Sequence, residues 1–122
     1  MPPPARLFLV EDHSWLLATL TQLLDREPGL TVCGTAASVA ETLARIPPDT
    51  DIVLVDLSLP DGSGLDIVRA LAERQPQTVS LVLSARPSAE VAARALDAGA
   101  AAYVEKGDIE SLLATIHAHR PS

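Results

Sequence analysis

Two apolar runs, Leu7-Phe8-Leu9-Val10 and Ile52-Val53-Leu54-Val55, contain no polar position at all, and each stops at a carboxylate. A strand with one wet face alternates polar and apolar residues. A strand that is apolar throughout belongs to a parallel sheet covered on both sides. In such sheets ligands bind beyond the carboxyl ends of the strands. Glu11-Asp12, after the first run, and Asp56, after the other, are therefore expected at one crevice. Two carboxylates about 4 Å apart repel by about 4 kcal/mol at an effective dielectric near 20. Three together call for a cation or a shifted protonation state. Their hard oxygen donors favour magnesium or a similar ion.

The rest of the chain supplies the cover for such a sheet. Leu16, Leu17, Leu20, Leu23 and Leu24 share one face of a helix expected over residues 14–25, closed by Pro28-Gly29. Residues 30–34 form the next strand. Ser38 with Glu41 three residues on marks a helix start, with Val39, Leu43 and Ile46 on one face and Pro47-Pro48 as the stop. A loop with Pro60, Gly62 and Gly64 follows Asp56, then a helix presenting Leu65, Val68, Leu71 and Ala72. Residues 79–83 form a fourth strand. An alanine-rich helix over residues 89–98 ends at Gly99, and residues 102–105 form a short fifth strand. Asp108 caps a last helix carrying Ile109, Leu112, Leu113 and Ile116. Repeated βα units of this kind build a doubly wound parallel sheet with helices on both faces. Strand order is left open by these patterns.

A length of 122 residues suits one domain, here taken as residues 1–122, with residues 1–5 read as a frayed arm. Hydrophobic residues make up 48% of the chain, yet no run approaches a membrane span, so the chain reads as soluble. The net charge of −7 disfavours a nucleic-acid surface, which needs a basic stripe. The single cysteine, Cys33, excludes an internal disulfide, fits a reducing cytoplasm and reads as a buried structural thiol.

Ser84 and Lys106 stand where the fourth and fifth strands end. Taken alone, such a serine is a turn residue and such a lysine a solvated one. Taken with Glu11, Asp12 and Asp56 they make a set: metal ligands, a hydroxyl donor and a fixed cation. That set suits transfer of a phosphoryl group, whose spread negative charge needs a metal and an ammonium around it.

On these residues the chain resembles the receiver domains of bacterial two-component response regulators, from Arg6 to about His119. The resemblance rests on Glu11-Asp12, on Asp56-Leu57-Ser58-Leu59-Pro60-Asp61-Gly62-Ser63-Gly64, on Leu83-Ser84-Ala85 and on Tyr103-Val104-Glu105-Lys106. Gly107 stands where many receivers carry proline. Receivers coupled to helix-turn-helix output domains often lack that proline, and the wording around Glu11-Asp12-His13 and Ala98-Gly99-Ala100 leans to the same subclass.

The resemblance implies a flavodoxin-like α/β fold with sheet order 2-1-3-4-5 and five flanking helices. It implies a regulatory phosphoacceptor rather than an enzyme, acting only on its own phosphorylation and dephosphorylation. Asp56 is then the phosphoacceptor, with Mg2+ or Mn2+ bound by Asp12, Asp56, the backbone carbonyl of Ser58 and, through a water, Glu11. Lys106 pairs with Asp56 and later with the phosphoryl oxygens. Ser84 and Tyr103 act as the switch, relaying the change to the face made by the fourth helix, fifth strand and fifth helix.

The implied partners are a sensor histidine kinase or phosphotransfer protein, and a downstream effector domain or protein. A homodimer is left open, as is whether the chain is a whole regulator or the receiver of a DNA-binding protein. Three rivals frame that reading. A receiver-like docking module never phosphorylated in use is one. A magnesium-dependent phosphatase is another, but it needs a second acid where Ser58 stands. A nucleotide-binding module needs a glycine-rich loop after the first strand, where Glu11-Asp12 stands instead. His13, His117 and His119 share no metal-ligand spacing, and Trp15 is expected to be packing or partial surface cover.

Overall fold

The two apolar runs lie side by side at the centre of a parallel sheet, seen in a computed structural model that describes residues 2–121. Its five strands are β1 (Ala5–Val10), β2 (Leu30–Ala36), β3 (Ile52–Asp56), β4 (Val79–Ser84) and β5 (Ala102–Glu105). Their order is β2-β1-β3-β4-β5, the arrangement expected of a flavodoxin-like receiver fold. Five helices connect and flank them: α1 (Ser14–Asp25), α2 (Val39–Arg45), α3 (Gly64–Arg74), α4 (Ala89–Ala98) and α5 (Ile109–Ala118).

Alternation along each central strand feeds two cores at once. Leu7 and Leu9 join Leu54, Leu81, Leu20, Leu24, Leu112 and Ile116 on the α1/α5 side. Phe8 and Val10 join Val53, Val55, Ile67 and Leu71 on the α2/α3 side. Leu65, Val68, Val82, Ala95 and Ala100 close a third cluster under α3 and α4. Both faces of β1 and β3 are thus dry along Leu7–Val10 and Ile52–Val55, the stretches that carry no polar residue.

The bounds of α1, α4 and β5 agree with the sequence patterns, and Ser38 and Asp108 cap α2 and α5 as expected. Several details differ. Ala5, placed in the frayed arm, instead opens β1, is buried and donates its N–H to the Gly29 carbonyl at 2.8 Å. Met1 lies outside the described residues. β2 runs on to Ala36 and β4 to Ser84, because register with the neighbouring strand extends both. In α3, Ile67 is buried while Ala72 faces outward. In α2, Thr42 is the buried residue, its hydroxyl satisfied by the Ser38 carbonyl at 2.8 Å. Cys33 sits at a register slip between β1 and β2 and is half-buried, 3.6 Å from the Thr50 hydroxyl. Trp15 is 70% exposed, so it is a surface residue and packs little.

One element had no local signal. Ser58–Leu59 and Gly62–Ser63 pair as a small antiparallel hairpin between β3 and α3. It is held at its base by α3, where Ser63 Oγ accepts from Leu65 N and Asp66 Oδ2 accepts from Ser63 N, both at 3.1 Å. Gly64 lets that base close down. A Cβ there would fall on the backbone carbonyl of Asp56 and within 2.6 Å of Val55 Cγ1.

Candidate functional site

Glu11, Asp56, Ser84 and Lys106 meet at the carboxyl edge of the sheet because β1, β3, β4 and β5 lie next to one another and end at the same level. Lys106 Nζ lies 2.7 Å from Glu11 Oε1 and 3.1 Å from Asp56 Oδ2, bridging two strands. Glu11 and Asp56 are 3% and 5% exposed, so their charges are held in place by the lysine rather than by water. Burial disfavours the Lys106 ammonium and is the largest single influence on it. The attraction of the Glu11 and Asp56 carboxylates beside it outweighs that, holding the lysine pKa above its ordinary value.

Asp12 completes an acidic cluster at the open side. Oxygen atoms of Glu11, Asp12 and Asp56 all lie within 4.8 Å of one another. Three formal negative charges face one ammonium, so the expected need for a cation is met only in part. Glu11 Oε1 is fully buried and has no well-directed hydrogen bond among the described residues; the ammonium is its close partner. All the side-chain donors are hard carboxylate oxygens, one exposed and two buried. That chemistry fits a small divalent cation entering from the Asp12 side, such as magnesium or manganese.

The crevice beside Asp56 measures about 390 Å³ and is walled by Asp12, Leu57, Ser58, Ser84, Ala85, Arg86 and Lys106. Ser58 N–H donates to Asp56 Oδ1 at 3.3 Å. Ser84 is buried, and its Oγ accepts from Arg86 N at 3.2 Å. The Arg86 carbonyl in turn accepts from the Tyr103 hydroxyl at 3.4 Å. Tyr103 is half-buried against the cluster under α3 and α4. Beyond Lys106 the chain turns at Gly107 with φ +90°, a left-handed conformation that glycine adopts without steric cost. The Lys106 N–H is anchored on the Ser84 carbonyl at 2.8 Å.

The structure thus brings together Glu11, Asp12, Asp56, Ser58, Ser84 and Lys106, with Tyr103 one residue removed. Two further contributors emerge only in the folded chain. Arg86 links Ser84 to Tyr103 through its own peptide groups, and nothing in its local sequence marks it. His13 is exposed and caps α1, its Nδ1 accepting from Leu16 N at 3.4 Å. Its backbone N–H also donates to Glu11 Oε2 at 3.1 Å. Its place between the acid pair and the first helical residue is the signal that could have marked it.

Comparison with known proteins agrees with this geometry. The family model for the response regulator receiver domain matches residues 7–117, and the chain belongs to that family. The DNA-binding transcriptional activator DevR/DosR of Mycobacterium tuberculosis is 41% identical over 108 residues, which cover 88% of this chain and 49% of that protein. The chain therefore spans about half the length of that activator. A two-component response regulator of the LuxR family from Aurantimonas sp. SI85-9A1 superimposes with a TM-score of 0.84 at 31% identity, covering 94% of this chain and 84% of that one. A response regulator from Burkholderia pseudomallei, solved with a phosphorylated aspartic acid, a calcium ion and citrate, gives a TM-score of 0.78 at 31% identity, covering 90% of this chain and 65% of that one.

Proposed function

We propose that this chain is a single receiver domain that is phosphorylated on Asp56 by a sensor histidine kinase or a phosphotransfer protein. An Asp56 carboxylate oxygen attacks the phosphorus of a phosphohistidine. The new O–P bond forms as the P–N bond breaks, and the imidazole nitrogen leaves with the electron pair. Asp12, Asp56 and the Ser58 carbonyl would hold Mg2+ or Mn2+, with Glu11 acting through a water. Bound there, the ion would supply charge neutralisation for the phosphoryl oxygens. Lys106 already touches Asp56 and would follow the charge onto the phosphoryl group.

The single observation that carries this reading is the bridged pair: one half-buried lysine within 3.1 Å of the strand-end aspartate and 2.7 Å of a second acid. A phosphorylated Asp56 carries about 1.5 to 2 negative charges on its phosphoryl oxygens, where the free carboxylate carried one. Ser84 would turn to meet them and give up its hydrogen bond from Arg86. That frees the Arg86 peptide, and with it the Tyr103 hydroxyl, so the face made by α4, β5 and α5 shifts between two packings. Moving a resting 1:99 population to 99:1 requires about 5.5 kcal/mol of preference for the active packing. An effector domain or protein would read that face, and a second copy of the chain could use the same surface. The likeness to a DNA-binding transcriptional activator favours transcriptional output in the cytoplasm.

Intact-mass spectrometry after incubation with acetyl phosphate or phosphoramidate and Mg2+ tests the reading. Wild type should gain one phosphoryl mass on Asp56, and Asp56→Asn should gain none there. An unmodified wild type would point instead to a docking module that works without phosphate.

A further inference from the structure

The hairpin that carries Ser58 is too short to hold its own position. Its two strands have two residues each, and isolated hairpins even of ordinary length are marginal in water. Its placement therefore comes from what grips it. The base is gripped by α3 through Ser63 and Asp66, and by the bond from Gly64 N to the Leu57 carbonyl at 2.8 Å. The tip is gripped by one side chain. Asp61 Oδ1 accepts from Val39 N at 2.7 Å and Asp61 Oδ2 from Ala40 N at 3.0 Å. Those are the first two N–H groups of α2, which have no partner inside their own helix.

We infer that Asp61 is a positioning residue for the phosphoacceptor crevice, latching the Ser58–Ser63 hairpin to the first turn of α2. The inference rests on the metal-binding and phosphoacceptor reading given above. Between the two grips lies Ser58, which lines the crevice and donates its N–H to the Asp56 carboxylate at 3.3 Å. That bond is long, so a small drift of the hairpin breaks it and turns the Asp56 carboxylate. The latch is strong for an exposed contact: two charge-assisted hydrogen bonds share one carboxylate at a helix N-terminus. These two donors hold the Asp61 pKa below its ordinary value, as expected of an acid bound in its ionised form. Leu59 adds a small apolar contact, packing like Val39 and Leu43 against the buried cluster around Phe8 and Ile67.

The test is calorimetric titration of Mg2+ into the full chain as wild type, Asp61→Ala and Ser38→Ala. Ser38 caps the same helix turn through Glu41 N but makes no bond to the hairpin. Asp61→Ala should weaken Mg2+ binding by about tenfold, the low end for residues that orient metal ligands. Ser38→Ala should leave it within twofold of wild type. The Asp61→Ala loss should persist in about 1 M KCl, where screening acts over about 3 Å. Unchanged affinity in Asp61→Ala overturns the inference. Equal losses in both variants overturn it too, since α2 stability would then be the cause. A loss that vanishes at high salt reduces Asp61 to a distant charge and likewise overturns the latch. A wild type that binds no Mg2+ sinks the metal reading itself, which the first titration reveals before any variant is compared.

Discussion

Helices α3 and α4 follow the strands that end at Asp56 and Ser84 and are nearly equal in length, 11 and 10 residues, yet they are secured very differently. Helix α3 buries Leu65, Ile67, Val68 and Leu71, and a capping box ties its first turn to the hairpin beside Asp56. Helix α4 buries Ala95 alone, and its one large apolar residue near the C-terminus, Leu96, is 54% exposed. Burial of a leucine-sized side chain contributes about 1.5–3 kcal/mol, and an alanine far less. The helix next to the phosphoacceptor is thus an anchor. The helix beside Ser84 and Tyr103 is held by its caps, Ser88 and Gly99, more than by its core. A domain that must keep its chemistry fixed while its outer face changes needs that asymmetry.

Truncations that delete the difference should have the largest effects. Leu71→Ala, at a position 1% exposed, should cost about 2–5 kcal/mol in urea denaturation. Leu96→Ala on α4 should stay within about 0.5 kcal/mol of wild type. Comparable losses at the two positions would erase the distinction.

A smaller effect concerns the caps. Ser88→Ala removes the acceptor for Val91 N and should cost about 1 kcal/mol. Native-state hydrogen exchange should register the change as faster exchange of α4 amides, with α3 amides unaltered. If α3 loosens in step, the two helices open as one unit and α4 has no independence.

The smallest effect is acid sensitivity on the anchored side. Asp61 has its folded pKa lowered below 3.8 by the N–H groups of Ala40 and Val39. Its contribution is therefore full above pH 3.8 and disappears as pH falls through the lower folded value. The stability advantage of wild type over Asp61→Asn should shrink across that acid window and stay flat from about pH 5 to 7. An advantage that grows on acidification would contradict the assignment.

Much of this asymmetry is visible before folding is considered. The row Ala92, Ala93, Ala95 announces a weakly held helix, whereas Leu65, Val68 and Leu71 announce a buried one. The same local patterns mark where α1, α4 and β5 begin and end, because periodicity and capping act within about four residues. Partner-dependent features were not visible. Ala5 becomes strand because Gly29 accepts its N–H, and β4 reaches Ser84 because β5 extends beside it. Trp15, the only tryptophan, is left on the surface where packing or partial cover had been expected.

The one-dimensional pattern by itself determined that two wholly apolar runs end in acids, and that a serine and a lysine end two other strands. Side-chain character and short-range spacing need no knowledge of the partner. Which strands become neighbours, and therefore whether Lys106 can touch both Glu11 and Asp56, was decided only by the packed sheet. The same holds for Asp61, at the hairpin tip, whose partners lie 21 and 22 residues away at the start of α2. Such contacts depend on how whole elements dock, and that geometry is set by the collective burial of both faces of the sheet rather than by any residue near the contact.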